Sequence, residues 1–170
     1  MKIPLTKSLG PLLIEKKLFL VTAESCTGGL LSSMITDVPG SSEYFIGGLS
    51  TYSYEAKEKL LNVKKDTLTN FGAVSEETVK EMAFGVRNVF SGTIPVQQII
   101  GISVSGIAGP SGGLPEKPVG LVWFGLSTVT GTWAYKKLWN GNRIQNKKSS
   151  AIFALQLICD YLSNLNVIEY

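Results

Sequence analysis

Leu18-Phe19-Leu20-Val21-Thr22-Ala23-Glu24-Ser25-Cys26-Thr27-Gly28-Gly29-Leu30-Leu31 is the stretch that decides the fold. An apolar run of strand length enters a turn of small hydroxyl, thiol and glycine residues. An apolar helical pattern leaves it, with Leu30, Leu31, Met34 and Ile35 at helical spacing. Strand, tight turn and helix in that order form the repeating unit of α/β sheets. At such a turn the backbone N–H groups and the positive end of the helix dipole favour a developing anion. The seven residues Ala23 to Gly29 also fit an ordinary capped helix start, so the rest of the chain has to discriminate.

Working outward, residues 4 to 17 read as an amphipathic helix with Leu5, Leu9, Leu12 and Leu13 inward, which Gly10-Pro11 interrupts or bends. Residues 18 to 24 are a buried strand. Residues 27 to 37 are the next helix, ended by Val38-Pro39-Gly40. Ser41 to Ile46 reads as a loop or short helical turn, and Gly47 to Tyr52 as a strand entered through glycines. Tyr54 to Leu61 is a short helix, and Val63 to Gly72 is irregular. Ser75 caps a strong helix with Glu76 and Glu77 in its first turn. Gln97 to Ser105 is the clearest central strand, and it runs into a second glycine-rich loop, Gly106 to Gly113. Val119 to Ser127 and Trp133 to Trp139 form an antiparallel pair joined near Val129-Thr130-Gly131. The apolar Trp123, Phe124, Trp133 and Tyr135 of this hairpin are available to the core or to a second subunit. A final helix starts at Asn142 and runs to about Leu165. This order predicts a single α/β domain over residues 1–170, a three-layer αβα sandwich. Its sheet should be mixed and largely parallel, with a late antiparallel hairpin.

Composition narrows the function. Of 170 residues, 44% are apolar and 17% charged, which fits a packed domain and excludes a disordered chain. The net charge of +3 comes without any basic block, so nucleic acid is not an expected partner, although a small phosphorylated ligand suits the charge. No apolar run approaches the ~18 residues of a membrane span. The first five residues, Met1 to Leu5, carry no signal-peptide pattern. The two cysteines, Cys26 and Cys159, make no disulfide framework and no zinc spacing, and a reducing cytoplasm fits them best.

The chain contains no histidine. That removes Ser-His-Asp and Cys-His catalysis and histidine-bound metals. A serine nucleophile must then use another base, and lysine is the usual substitute. Ser25 is the candidate nucleophile and Lys57 the candidate base, with Lys59 as a control that points elsewhere on its helix. Lys57 would have to be mostly neutral, which requires desolvation or a nearby cation. Cys26 is the rival nucleophile, because a helix N-terminus lowers a thiol pKa. The loop from Ser105 to Gly113 matches neither the P-loop nor the Gly-x-Gly-x-x-Gly pattern, yet its backbone can wrap a phosphate. Both glycine-rich loops follow strands, which allows both to open on the same sheet edge. Arg143 starts the last helix, where its charge opposes the dipole; a ligand anion would compensate it, and a solvated surface arginine fits the same position.

Taken together the motifs resemble the CinA carboxy-terminal family. They are Glu24-Ser25-Cys26-Thr27-Gly28-Gly29, Val38-Pro39-Gly40-Ser41-Ser42, Gly47-Gly48 with Thr51-Tyr52-Ser53, and Glu55-Ala56-Lys57. Gly72-Ala73-Val74-Ser75-Glu76-Glu77, Gly106-Ile107-Ala108-Gly109-Pro110, Pro115-Glu116-Lys117-Pro118-Val119-Gly120 and Gly141-Asn142-Arg143 follow in order. The resemblance implies hydrolysis of nicotinamide mononucleotide to nicotinate mononucleotide and ammonia at a serine-lysine site. It implies no metal or cofactor, and it suggests a homodimer. Carried over by position, Ser25 is the nucleophile, Lys57 the general base and Tyr52 a hydroxyl that orients or relays the proton. Glu24, Thr27, Gly28, Gly48, Ser105, Gly106, Gly109 and Arg143 bind substrate, Arg143 through the phosphate. Backbone N–H groups of the 25–29 turn would stabilise the oxyanion. Three positions differ from the family's usual pattern: Ser105 replaces a threonine, Tyr54 an asparagine and Asn142 an aspartate. The alternative is a binding or regulatory module that holds a nucleotide without turnover. A Cys26 thiol amidase is a third reading.

Overall fold

A computed structural model describes residues 5–163, with side chains from Ser8 onward. The reading of residues 1–4 and of the helix end beyond Ser163 falls outside this range. In chain order the elements are α1 (Leu5–Glu15), β1 (Phe19–Glu24), α2 (Leu30–Thr36), β2 (Phe45–Ser50), α3 (Tyr54–Leu61) and α4 (Lys65–Phe71). There follow α5 (Glu76–Val89), β3 (Ile99–Gly106), β4 (Leu121–Ser127), β5 (Thr132–Leu138) and α6 (Arg143–Leu162). All five strands join one sheet in the order β2-β1-β3-β4-β5. β1 is parallel to both β2 and β3, while β3–β4 and β4–β5 are antiparallel.

Side-chain alternation along the strands divides the interior in two. Leu20 of β1 and Ile100, Ile102 and Val104 of β3 pack under α1, α2 and α6. Val21 and Ala23 of β1 and Ile99 of β3 pack under α3, α4 and α5. Helices therefore cover both faces, as the expected three-layer sandwich requires. The hairpin turns Phe124, Trp133 and Tyr135 to the core, whereas Trp123 lies outside it with Lys136 Nζ 5.6 Å from its ring centre. Phe124 is fully buried and meets Phe153 of α6 edge-on at 4.8 Å. Such a contact adds about 1 kcal/mol beyond the area it buries.

Four local expectations change. The helix at 4–17 runs through Pro11 as one element, because buried Leu9 and Leu13 hold it against the α6 face despite the missing N–H. The helix expected from Thr27 starts at Leu30, since Gly28 and Gly29 both take positive φ (61° and 93°) and form the turn. β2 begins at Phe45 instead of Gly47, with a bulge that offsets its register between Leu20 and Val21, and ends at Ser50. The segment 63–72 is not irregular: residues 65–71 form α4. Its start is capped from a different helix, where Glu81 of α5 accepts from Lys64 N and Thr67 Oγ1, both at 2.8 Å. Nothing local to 63–72 announces a cap that lies 17 residues downstream.

These elements bring one edge into use. The carboxyl ends of β1, β2 and β3 lie side by side, with Glu24 opposite both Ser50 and Val104. β1 connects through α2 to its neighbour on one side, and β2 crosses through α3–α5 to the strand on the other. Open α/β sheets bind ligands where the strand order reverses in this way. Among the described residues no helix is long and apolar enough to cross a membrane.

Candidate active site

The turn after β1 is held from both sides. Ser25 N donates to Val104 O of β3 (2.9 Å), and Thr51 N donates to Glu24 O (2.8 Å). Ser25 is 7% exposed, so its hydroxyl sits at the floor of the edge. Lys57 lies one turn into α3, whose first turn is capped by Ser53 Oγ accepting from Ala56 N (3.0 Å). Helical side chains lean toward the N-terminus of their helix. That lean carries Nζ of Lys57 back to the loop that precedes α3. There it lies 3.0 Å from Ser25 Oγ, 2.7 Å from Thr51 O and 3.4 Å from Tyr52 O.

Lys57 is 0% exposed, and among the described residues it has no carboxylate partner. Burial pulls its pKa down from 10.5 to about 8, with the neighbouring Cys26 opposing slightly. A neutral amine has two N–H donors and one lone pair. Thr51 O and Tyr52 O take the donors, which leaves the lone pair for the Ser25 proton.

Glu24 is also buried, at 1% exposed, but it faces away from this pair. Its carboxylate accepts from Gly29 N (3.0 Å), Leu31 N (3.0 Å), Ser32 N (2.8 Å) and Ser32 Oγ (2.7 Å). Charge-assisted bonds of this kind offset the cost of burying the carboxylate and neutralise the start of α2. Gly48 serves the same cluster. A Cβ there would lie 2.0 Å from Thr22 Oγ1 and 2.6 Å from Ser32 Oγ, which bond each other at 2.7 Å. Glu24 and Gly48 thus shape the turn from behind. The donors of the turn are correspondingly fewer than expected. Gly28 N is taken by Ser25 O and Leu30 N by Thr27 O, in addition to Gly29 N. The amides of Cys26 and Thr27 have no carbonyl or carboxylate acceptor among the described residues. The Thr27 side chain is fully buried, and its hydroxyl has no partner there.

A second group forms beside the pair. Arg143 Nη1 donates to Gly109 O (2.8 Å) and Nη2 to the Tyr52 hydroxyl (3.2 Å). Tyr52 is 64% exposed, so what it lends Lys57 is its main-chain carbonyl, while its hydroxyl serves Arg143. Ser105 Oγ donates to Ala73 O (2.7 Å) and ties the end of β3 to the loop before α5. Gly106 ends β3 and pairs with Val122. The departures from the family pattern find local roles. Asn142 caps α6 in a reciprocal box with Gln145, as an aspartate cap would. The Tyr54 hydroxyl accepts from Ala73 N (3.1 Å).

Two residues near the site gave no motif signal. Asn146, 1% exposed, accepts from Gly141 N (3.0 Å) and donates to Ala108 O (3.1 Å), which fixes the second glycine-rich loop to α6. Lys147 reaches over the β1–α2 turn: a Cβ placed on Gly28 would be 3.7 Å from its Nζ. The only sequence cue to Lys147 was its spacing, four residues after Arg143 on one helical face. Among the described residues no group of three or more acidic or cysteine side chains could hold a metal ion.

Cys26, the rival nucleophile, is poorly placed to ionise. It is 5% exposed, and burial pushes its thiol up to about 12; Cys159 is pushed up to about 11 by its own burial. At pH 7.5 iodoacetamide should add nothing to the native chain in the time that the urea-unfolded chain takes up two adducts, read by intact mass. An adduct on native Cys26 that abolishes activity would restore the thiol as the nucleophile.

Fold and site together define an α/β protein with a buried serine-lysine pair at the carboxyl edge of its parallel strands. The family model described as the CinA C-terminal domain matches residues 2–162, and the chain belongs to that family. A CinA-like protein of Kosmotoga olearia is 53% identical over 150 residues, covering 86% of this chain and 34% of its own. A CinA-like protein of Desulforapulum autotrophicum is 51% identical over 151 residues, covering 88% and 34%. The chain spans about a third of the length of the curated relatives it matches. The crystal structure of a competence or damage-inducible protein from Enterobacter asburiae superposes with a TM-score of 0.85 at 37% identity, covering 93% of this chain and 96% of that one.

Proposed function

We propose that this chain hydrolyses the carboxamide of nicotinamide mononucleotide, giving nicotinate mononucleotide and ammonia. The observation that carries the reading is the buried, carboxylate-free Lys57 with Nζ 3.0 Å from Ser25 Oγ. Neutral Lys57 takes the Ser25 proton as Oγ attacks the carboxamide carbon, and the carbonyl oxygen becomes the oxyanion. The amides of Cys26 and Thr27, which directly follow the nucleophile and have no carbonyl or carboxylate acceptor among the described residues, are the candidate oxyanion donors, and one such donor is typically worth ~3 kcal/mol of transition-state stabilisation. The Lys57 ammonium then returns its proton to the departing nitrogen, and the C–N bond breaks to release ammonia. Water, deprotonated by the again neutral Lys57, attacks the acyl ester. The ester bond breaks, and Ser25 recovers its proton. The pyridinium charge of the substrate works in the same direction as burial and keeps Lys57 neutral.

Ammonia release by the purified protein tests the reading, with nicotinamide mononucleotide against plain nicotinamide. Tight binding without ammonia would support a nucleotide-binding module instead. The pH profile follows from Lys57. Only the neutral amine accepts the proton, and with a pKa of about 8 roughly a tenth is neutral at pH 7. Accordingly kcat/KM should climb close to tenfold per pH unit below about pH 8 and level off above it. A profile flat from pH 6 to 9 would rule out Lys57 as the base.

A further inference from the structure

Arg143 and Lys147 both stand in the first turns of α6, four residues apart, and no acidic residue accompanies them in the first turn. Like charges at this spacing repel by a few tenths of a kcal/mol, and both oppose the dipole at a helix N-terminus. Neither forms an ion pair with a carboxylate among the described residues. Arg143 spends two N–H groups on Gly109 O and the Tyr52 hydroxyl and keeps others for a ligand. Lys147 is half-buried, yet its ammonium has no hydrogen-bond partner among the described residues. Its Nζ lies 3.7 Å from where a Cβ on Gly28 would stand, three residues past the nucleophile, and, chain neighbours aside, no other group lies within 4 Å of that point. Its charge reaches far enough into the turn to act on the Cys26 thiol. The fold therefore holds two uncompensated cations, one helical turn apart, at the mouth of the Ser25 edge.

We propose that Lys147 is a second cationic contact for the substrate's phosphate, beside Arg143, and that it makes the site select the phosphorylated nucleotide over its nucleoside. The proposal rests on the amidase reading for the identity of the substrate, but its own content is the phosphate selection. A phosphate monoester carries close to two negative charges at neutral pH, which two cations match. A point-charge ammonium suits a group whose orientation the arginine fork already sets.

The test compares wild type, Lys147→Met, Lys147→Arg and, as a surface control, Lys148→Met. Turnover and calorimetric binding are read with nicotinamide mononucleotide and with nicotinamide riboside. Lys147→Met should raise KM and Kd for the mononucleotide about tenfold, the usual size of one charged contact. It should change kcat by less than threefold and leave the riboside unaffected. Lys147→Arg should stay within threefold of wild type, and Lys148→Met should match it. Equal loss for both ligands, or no loss for the mononucleotide, overturns the proposal. Lys147-dependent binding of the mononucleotide without ammonia release would sustain it while removing the amidase reading. Ammonia release that does not depend on Lys147 would do the reverse, and neither binding nor release would overturn both.

Discussion

Ser25→Ala is expected to lower ammonia release from nicotinamide mononucleotide by at least a thousandfold, on the order of what removal of a covalent nucleophile costs in hydrolases. The variant removes one oxygen from a side chain that is 7% exposed. The Ser25 backbone, bonded to Val104 O, is untouched, so the melting temperature should move by no more than a few degrees. Binding of the mononucleotide should persist, because Arg143 and Lys147 are unchanged. That combination, substrate bound and fold intact with turnover gone, separates a nucleophile from a residue that only supports the pocket. Near-wild-type release by Ser25→Ala would remove the acyl-enzyme route outright.

Lys57→Met should lose turnover by about a thousandfold, within the 10²–10⁴ range of general-base removal. Lys59→Met should stay within about twofold. Lys59 pairs with Glu55 at 2.6 Å on the surface, with both side chains more than 70% exposed, and exposed pairs of this kind contribute little. Equal effects at 57 and 59 would show that the wrong lysine had been assigned. The same variant has a stability signature that activity cannot mimic. In the folded chain Lys57 titrates near 8, and in the unfolded chain near its ordinary 10.5. Between those values the unfolded chain holds a proton that the folded chain has released, so the stability of the wild type rises with pH across that window. The burial penalty is fully present below about pH 8 and is relieved by about pH 10.5, a span of about 3 kcal/mol. Lys57→Met lacks this term, and groups common to both chains cancel in the difference. The wild-type melting temperature should therefore gain several degrees on the variant between pH 7.5 and 10. A difference independent of pH would mean that Lys57 is not held near neutrality by burial.

The resulting site depends on a compromise. An amine buried without a carboxylate costs stability, and in the proposed chemistry that burial is what gives the lysine a usable neutral fraction, roughly a tenth, at pH 7. Glu24, the acid closest in sequence to Ser25, is fully occupied by four donors from the start of α2. Had that carboxylate turned toward Lys57, it would have raised the lysine pKa and fixed the proton in place. The division of labour between Glu24 and Lys57 is thus a condition of the proposed chemistry, set by where two buried side chains point.

Much of this architecture could be read from the order of residues. The β1–α2 turn, the capped start of α5 at Ser75, the antiparallel pair after the second glycine-rich loop and the Asn142 start of α6 all rest on local signals. Periodicity, caps and glycines act within a few residues, and there the reading was close. It missed α4, whose cap comes from Glu81, and it expected Gly10-Pro11 to interrupt or bend α1, where packing against α6 outweighs one lost hydrogen bond. Local propensity has no access to partners that arrive from elsewhere in the chain.

The absence of histidine, the hydroxyl at position 25 and a lysine 32 residues later belong to the sequence alone, and by themselves they limit the possible chemistry. Which lysine meets that serine, how dry it is and where its other hydrogen bonds go were decided by the tertiary structure. So were the withdrawal of Glu24, the pairing of the Tyr52 hydroxyl with Arg143 and the placement of Lys147 over Gly28. The physical reason is that pKa and proton direction depend on solvent exclusion and on groups within a few ångströms. Residues 25, 57 and 147 share that environment only after β1, α3 and α6 converge on one edge of the sheet.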